Sequence, residues 1–150
     1  MRNCLLFDLI CTAGLSRLAN LFILSFSEKK MQSLYEDPEL VKFTSGKSDV
    51  TLSLLSHFLE ACSQQAAVSV SPAKTMISVG TGKGKVWITQ LGKNFVHIVF
   101  PFKEQYPDNL CFQKIAQVPG QNQYNHHFRM YSKEDLNEEV LSYLRKALVG

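Results

Sequence analysis

Carboxylates are scarce through the middle of this 150-residue chain. Between Ala61 and Lys133 the sequence holds eight lysines and arginines but only Glu104 and Asp108, a local excess of +6 on a chain of formal charge +3. Two acids in one proline-bearing loop cannot supply the clustered carboxylates of a metal-dependent nuclease, and the residues imply no cofactor and no metal. Serine–histidine–aspartate and cysteine–histidine spacings are missing too, which removes the usual sources of an activated nucleophile. The few cysteines, Cys4, Cys11, Cys62 and Cys111, form no C-x-x-C pair and no regular spacing. Thiols so placed suit a reducing compartment, and a cytoplasmic location is expected.

No apolar run is long and unbroken. Residues 4–26 come nearest, but Asp8, Arg17 and Asn20 interrupt them. A membrane helix needs about 20 apolar residues, and Asp8 and Arg17 would each cost about 2.5–3.5 kcal/mol near the bilayer centre, with Asn20 adding to that. A secretory signal would want an uninterrupted stretch and a small-x-small cleavage site, and neither is found before Glu28. Residues 1–30 are therefore expected to be an apolar extension outside the working domain. Either it precedes a start at Met31, or it forms a membrane-associated helix. Membrane contact arises only if residues 1–26 are translated and inserted.

What remains has the composition of a globular protein, with 45% hydrophobic and 19% charged residues. Its length allows one domain that buries about two thirds of its unfolded surface. Residues 31–47, which contain Asp37-Pro38 and Gly46, read as a lead-in with one short helical turn, and residues 48–150 as a single domain. Ser48 or Asp49 offers a helix N-cap. Thr51, Leu54, Leu55, Phe58, Leu59 and Cys62 follow at helical spacing. After Gln65 the period becomes two, and strands are expected at 67–70, 75–79, 85–91, 94–100 and 125–131, which favour β-branched and aromatic residues. Gly80, Gly82 and Gly84, then Gly92-Lys93-Asn94, mark hairpin turns. Residues 109–117 read as a short helix in a long connection, and Ser132 as the cap of a closing helix with a stripe of Leu136, Val140, Leu144 and Leu148. The predicted class is α+β, a mostly antiparallel sheet of four to five strands with an N-terminal and a C-terminal helix packed on it. Val86/Ile88 against Trp87/Leu91, and Val96/Ile98/Phe100 against Phe95/Val99, make two strands apolar on both faces. Such strands call for cover on each side of the sheet, from residues 102–124, the N-terminal extension or a partner subunit.

Ser71-Pro72-Ala73-Lys74-Thr75 with the two hairpin strands after it, and His126-His127-Phe128-Arg129-Met130 before the acidic Lys133–Val140 segment, resemble the bacterial family known as domain of unknown function 5655. The resemblance covers about residues 49–148. Two positions depart from it: the family commonly carries aspartate where Asn137 stands and an aromatic where Leu148 stands. It implies no established activity. A family found both alone and attached to other domains implies an accessory or binding module.

Two motifs invite chemistry. Residues 80–85 are rich in glycine and lysine but lead into a strand, so no helix N-terminus faces a phosphate and a flexible hairpin is expected. His126 and His127 are neighbours on a strand and face opposite ways. His126 is expected at the core margin with Phe128 and Met130, and His127 outward with Arg129 and Tyr131. His97, between Phe95 and Val99, is expected as a hydrogen-bonded core histidine. Lys74 joins His127 and Arg129 if their strands are neighbours, and Trp87 or Tyr131 offers a stacking surface. The favoured function is a non-catalytic binding module whose basic sheet surface, at Lys74, His127, Arg129, Trp87 and Tyr131, meets an anionic partner such as nucleic acid. Two alternatives stay open. One is an enzyme acting on a small anionic substrate with His127 as acid or base; the other is a protein-interaction domain or homodimer built on the doubly apolar strands.

Overall fold

The computed structural model describes residue 32 and residues 36–150. The chain divides after Glu36, and the second unit is Asp37–Gly150. The expectations for residues 1–30, membrane association and the thiols of Cys4 and Cys11 among them, lie outside the described residues. Among the described residues no helix is long and apolar enough to cross a membrane.

Asp37-Pro38 starts a full helix rather than a single turn. The Asp37 carboxylate accepts from the N–H groups of Glu39 and Leu40, and α1 runs Pro38–Thr44. Proline suits the first turn because an N–H there has no partner within the helix. Ser48 caps α2, Asp49–Gln65. The Thr51 side chain is fully buried, and its hydroxyl donates to the Gly92 carbonyl at 2.7 Å; the Ser48 hydroxyl donates to the Lys93 carbonyl. The start of α2 is thereby pinned to the turn at residues 92–95. Thr51→Val keeps the shape and removes the donor, so a loss of about 1–2 kcal/mol is expected. A lower urea midpoint at an unchanged slope would report it.

The strands are β1 Ser69–Pro72, β2 Ile77–Gly80, β3 Lys85–Leu91, β4 Val96–Phe102, β5 Lys114–Gln117 and β6 Tyr124–Met130. They form one antiparallel sheet in the order β1-β2-β3-β4-β6-β5. The class is α+β, with helices from both ends of the chain and a six-stranded sheet. The strand beyond the expected number is β5, in a stretch whose composition reads as helical. The Asn109 carboxamide oxygen accepts from the N–H groups of Cys111 and Phe112 and turns the chain. Residues 114–117 then pair with β6. Pairing with an existing strand decides the conformation here, over local propensity.

After Ser132 comes a 3-10 turn, Lys133–Asp135, and then α3, Glu138–Val149, which Asn137 caps by accepting from the Val140 N–H. Helix α3 packs across β3 and β4, and α2 packs on β4 and α3. Phe58, Ile77, Ile88, Ile98, Phe100, Met130, Leu144 and Leu148 are fully buried between helices and sheet. Segment 103–113 lies on this same side, with Tyr106 and Phe112 against Phe102, Phe100 and Tyr143.

One irregularity changes the expected patterning of the sheet. The register of β3 against β4 shifts between Ile88 and Gln90, so Leu91 pairs with Val96. The extra residue of a bulge reverses the alternation beyond it. Leu91 consequently sits on the helix side, 4% exposed, and not beside Trp87. Segment 102–124 does not provide the second cover either, since residues 103–113 pack on the helix side.

Candidate functional site

The face of the sheet away from α2 and α3, called the far face, gathers most of the residues singled out above. Register places Trp87, Val99, His127 and Lys114 in one row across β3, β4, β6 and β5. His97 and Arg129 pair in the next row. Beyond them Phe95 and Tyr131 approach at 5.7 Å between ring centroids. The Arg129 guanidinium lies 5.2 Å from the Phe95 ring centre and the Lys85 ammonium 5.6 Å from that of Trp87. No aspartate or glutamate stands in any of the six strands. Two aromatic rings, Trp87 and Phe95, each with a cation alongside, beside strands without a carboxylate make a surface that attracts planar anionic groups.

A hydrogen-bonded line crosses this face. His97 Nδ1 lies 2.9 Å from the Thr89 hydroxyl, and His97 Nε2 lies 3.2 Å from His127 Nδ1. The two imidazoles are stacked, 5.3 Å apart at 19°. Burial pushes the pKa of both rings below the ordinary histidine value. His127 and Arg129 push His97 further in that direction, and Lys114 and His126 do the same to His127. His97 is hydrogen-bonded as expected, but it is half-buried on the far face and not in the core; it shares the alternation of Phe95 and Val99, which point away from the helices although Val99 is itself buried.

His126 does the opposite. It is fully buried, inside the core rather than at its margin. Its Nε2 accepts from the Tyr106 N–H at 3.1 Å, and its Nδ1–H donates to the Tyr124 carbonyl at 3.1 Å. Both nitrogens are used, so the ring is held neutral in one tautomer, and burial lowers its pKa. Phe102, Phe112 and Tyr106 surround it at centroid distances of 5.0–5.6 Å. This histidine anchors segment 103–113. It offers no nitrogen to a ligand.

Lys74 does not join the group. It sits between β1 and β2, and β3 and β4 separate β2 from β6, about 14 Å of sheet. Its neighbours around a hollow of about 550 Å³ include Glu39, Lys42, Phe43, Lys47, Thr89 and Gln90. Lys114 takes the place expected for it, directly opposite His127. Sequence reasoning missed Lys114 because its stretch reads as helix. It also missed Phe95 and Lys85, although their period-two spacing from His97 and Trp87 carried the signal. Another hollow, of about 640 Å³, lies by Lys83, Lys103 and Lys146 and the turn at residues 121–123. His127 lines neither.

Cys111 is half-buried, and burial, with Glu139 nearby, pushes its thiol up to about 11, so it stays protonated at neutral pH. Among the described residues no group of three or more histidine, cysteine, aspartate or glutamate side chains is placed to hold a metal ion. Comparison with protein-family models, with curated proteins and with solved structures found no match.

Proposed function

We propose that the chain is a non-catalytic binding module whose far sheet face takes single-stranded nucleic acid. The observation that carries this reading is the shared face of Trp87, Lys85, Lys114 and Arg129 on strands free of carboxylates, with Phe95 and Tyr131 meeting just before β4 and just after β6. Bases stack on aromatic rings whatever their sequence, and lysine and arginine track the phosphates. Tyr131 is half exposed, as a stacking platform must be.

Fluorescence anisotropy with a 12-nucleotide oligothymidine, across salt concentrations, tests the proposal. Trp87→Ala is expected to weaken binding by about 10- to 100-fold, the worth of one stacked base. Arg129→Ala is expected to lower the salt slope by about 0.7, one phosphate contact on a single strand. If neither single-stranded DNA nor RNA binds at low salt, the proposal fails.

The enzyme alternative has one observation in its favour, a second titratable group, His97, within hydrogen-bond reach of His127. No carboxylate or low-pKa thiol stands beside that pair. The homodimer alternative loses part of its motive with Leu91 on the helix side.

A further inference from the structure

We infer that anion binding on the far face is coupled to the uptake of one proton by the Thr89–His97–His127 line, which makes the face a pH-gated site. The inference rests on the reading of that face as an anion-binding surface.

Four imidazole nitrogens are involved, and two of them face each other at 3.2 Å. One of that facing pair must present a lone pair and the other an N–H, so the neutral line holds two protons on its four nitrogens. The Thr89 hydroxyl can donate or accept, and so matches either arrangement. A third proton completes the line: His97 Nδ1–H donates to Thr89, His127 Nδ1–H donates to His97 Nε2, and His127 Nε2 carries the added proton. The bond between the rings survives and becomes charge-assisted, which strengthens it. A fourth proton would set two N–H groups head to head. The line therefore takes up one proton and then stops.

The surroundings decide when it does so. Thr89 and Trp87 face the line from β3, Val99 lies beside it on β4, Arg129 flanks it on β6 and Lys114 on β5, and His126 lies behind it. Thr89 also opens on the hollow lined by Glu39, Lys42, Lys47 and Lys74, where Glu39 is paired with Lys42 at 2.8 Å. The charged groups beside the two rings themselves, Lys114 and Arg129, oppose protonation in the unliganded protein. A phosphate seated against His127, Lys114 and Arg129 reverses that balance, since it offsets the two fixed cations and favours a third. Because coupling is reciprocal, a ligand that raises proton affinity must itself bind more tightly as protons become available.

The expected result is affinity for 12-nucleotide oligothymidine that rises by up to about tenfold per pH unit as pH falls from 7.5 toward 6; the ligand has no group that titrates there. Circular dichroism at each pH confirms the fold. In His97→Asn and in His127→Asn the ratio of affinities at pH 6 and pH 7.5 is expected to shrink to about twofold or less. Calorimetry in two buffers of different ionisation enthalpy counts the proton in the unaltered protein, where net uptake approaching one supports the coupling. Binding with no pH dependence and no proton uptake overturns the coupling alone and leaves the surface reading in place. No binding at any pH overturns both.

Discussion

Replacing His126 with leucine is expected to lower the unfolding free energy by about 3 kcal/mol. Leucine fills most of the space but leaves the Tyr106 N–H and the Tyr124 carbonyl without the partners they have at 3.1 Å. An unsatisfied buried group costs about 1–3 kcal/mol, and the edge contacts with Phe102 and Phe112 are lost as well. In a domain of this size the thermal midpoint falls by roughly 10 °C. Faster amide exchange confined to segment 103–113 would place the damage where the hydrogen bond was.

The same histidine gives the fold an acid limit. Burial lowers the pKa of His126, His97 and His127 in the folded chain, so at mildly acidic pH the unfolded chain binds more protons than the folded one. Their contribution is fully present above the ordinary histidine pKa of about 6.5 and is lost as pH falls from there through the folded values. Thermal midpoints taken from pH 7.5 to pH 5 are expected to fall, and in His126→Leu to fall less steeply. An unchanged midpoint in the variant at pH 7.5 would refute the anchoring role.

Gly84→Ala is the second large effect, expected to cost about 2–3 kcal/mol. A Cβ built on Gly84 would stand 2.0 Å from the Ala147 carbonyl oxygen and 3.1 Å from its carbon. Those are backbone atoms near the end of α3, so relief requires the helix end and the hairpin to separate. The Thr81 hydroxyl donates to the Leu148 carbonyl at 2.6 Å, and separation strains that bond too. Gly82 has nothing within 4 Å of a built Cβ, and Gly82→Ala is expected to stay within about 0.5 kcal/mol of the parent. Chemical denaturation of both variants checks the contrast, and equal stabilities would show that the hairpin does not need its close approach to α3. The glycines that read as a flexible hairpin in the sequence thus split into two hemmed in by contact, Gly80 and Gly84, and one at an open tip, Gly82.

Periodicity made the elements legible but not their partners. The stripe of α2, the alternation of β4 and β6, and the opposite facing of His126 and His127 all follow from residue spacing, and the registers agree. Strand order does not follow from spacing, so Lys74 could be placed beside His127 only by supposing that their strands were neighbours. The bulge at Thr89 has no marker in Ile88-Thr89-Gln90, and it moved Leu91 across the sheet. Strand β5 exists because β6 offers it an edge, which four residues of weak preference cannot announce. His97 was misplaced for a related reason. Its apolar neighbours suggest core, and Val99 is indeed buried, but the face they share is the one the helices leave alone.

The two rims of the sheet carry a last consequence. Each ends in a strand of only four residues, and Pro72 closes one of them while Lys114 opens the other. A proline supplies no amide to an incoming chain, and a short charged strand gives it little to zip along. Copies of this molecule are thus poor templates for one another at the margins, and crowded solutions are not expected to grow ribbons by edge-to-edge joining.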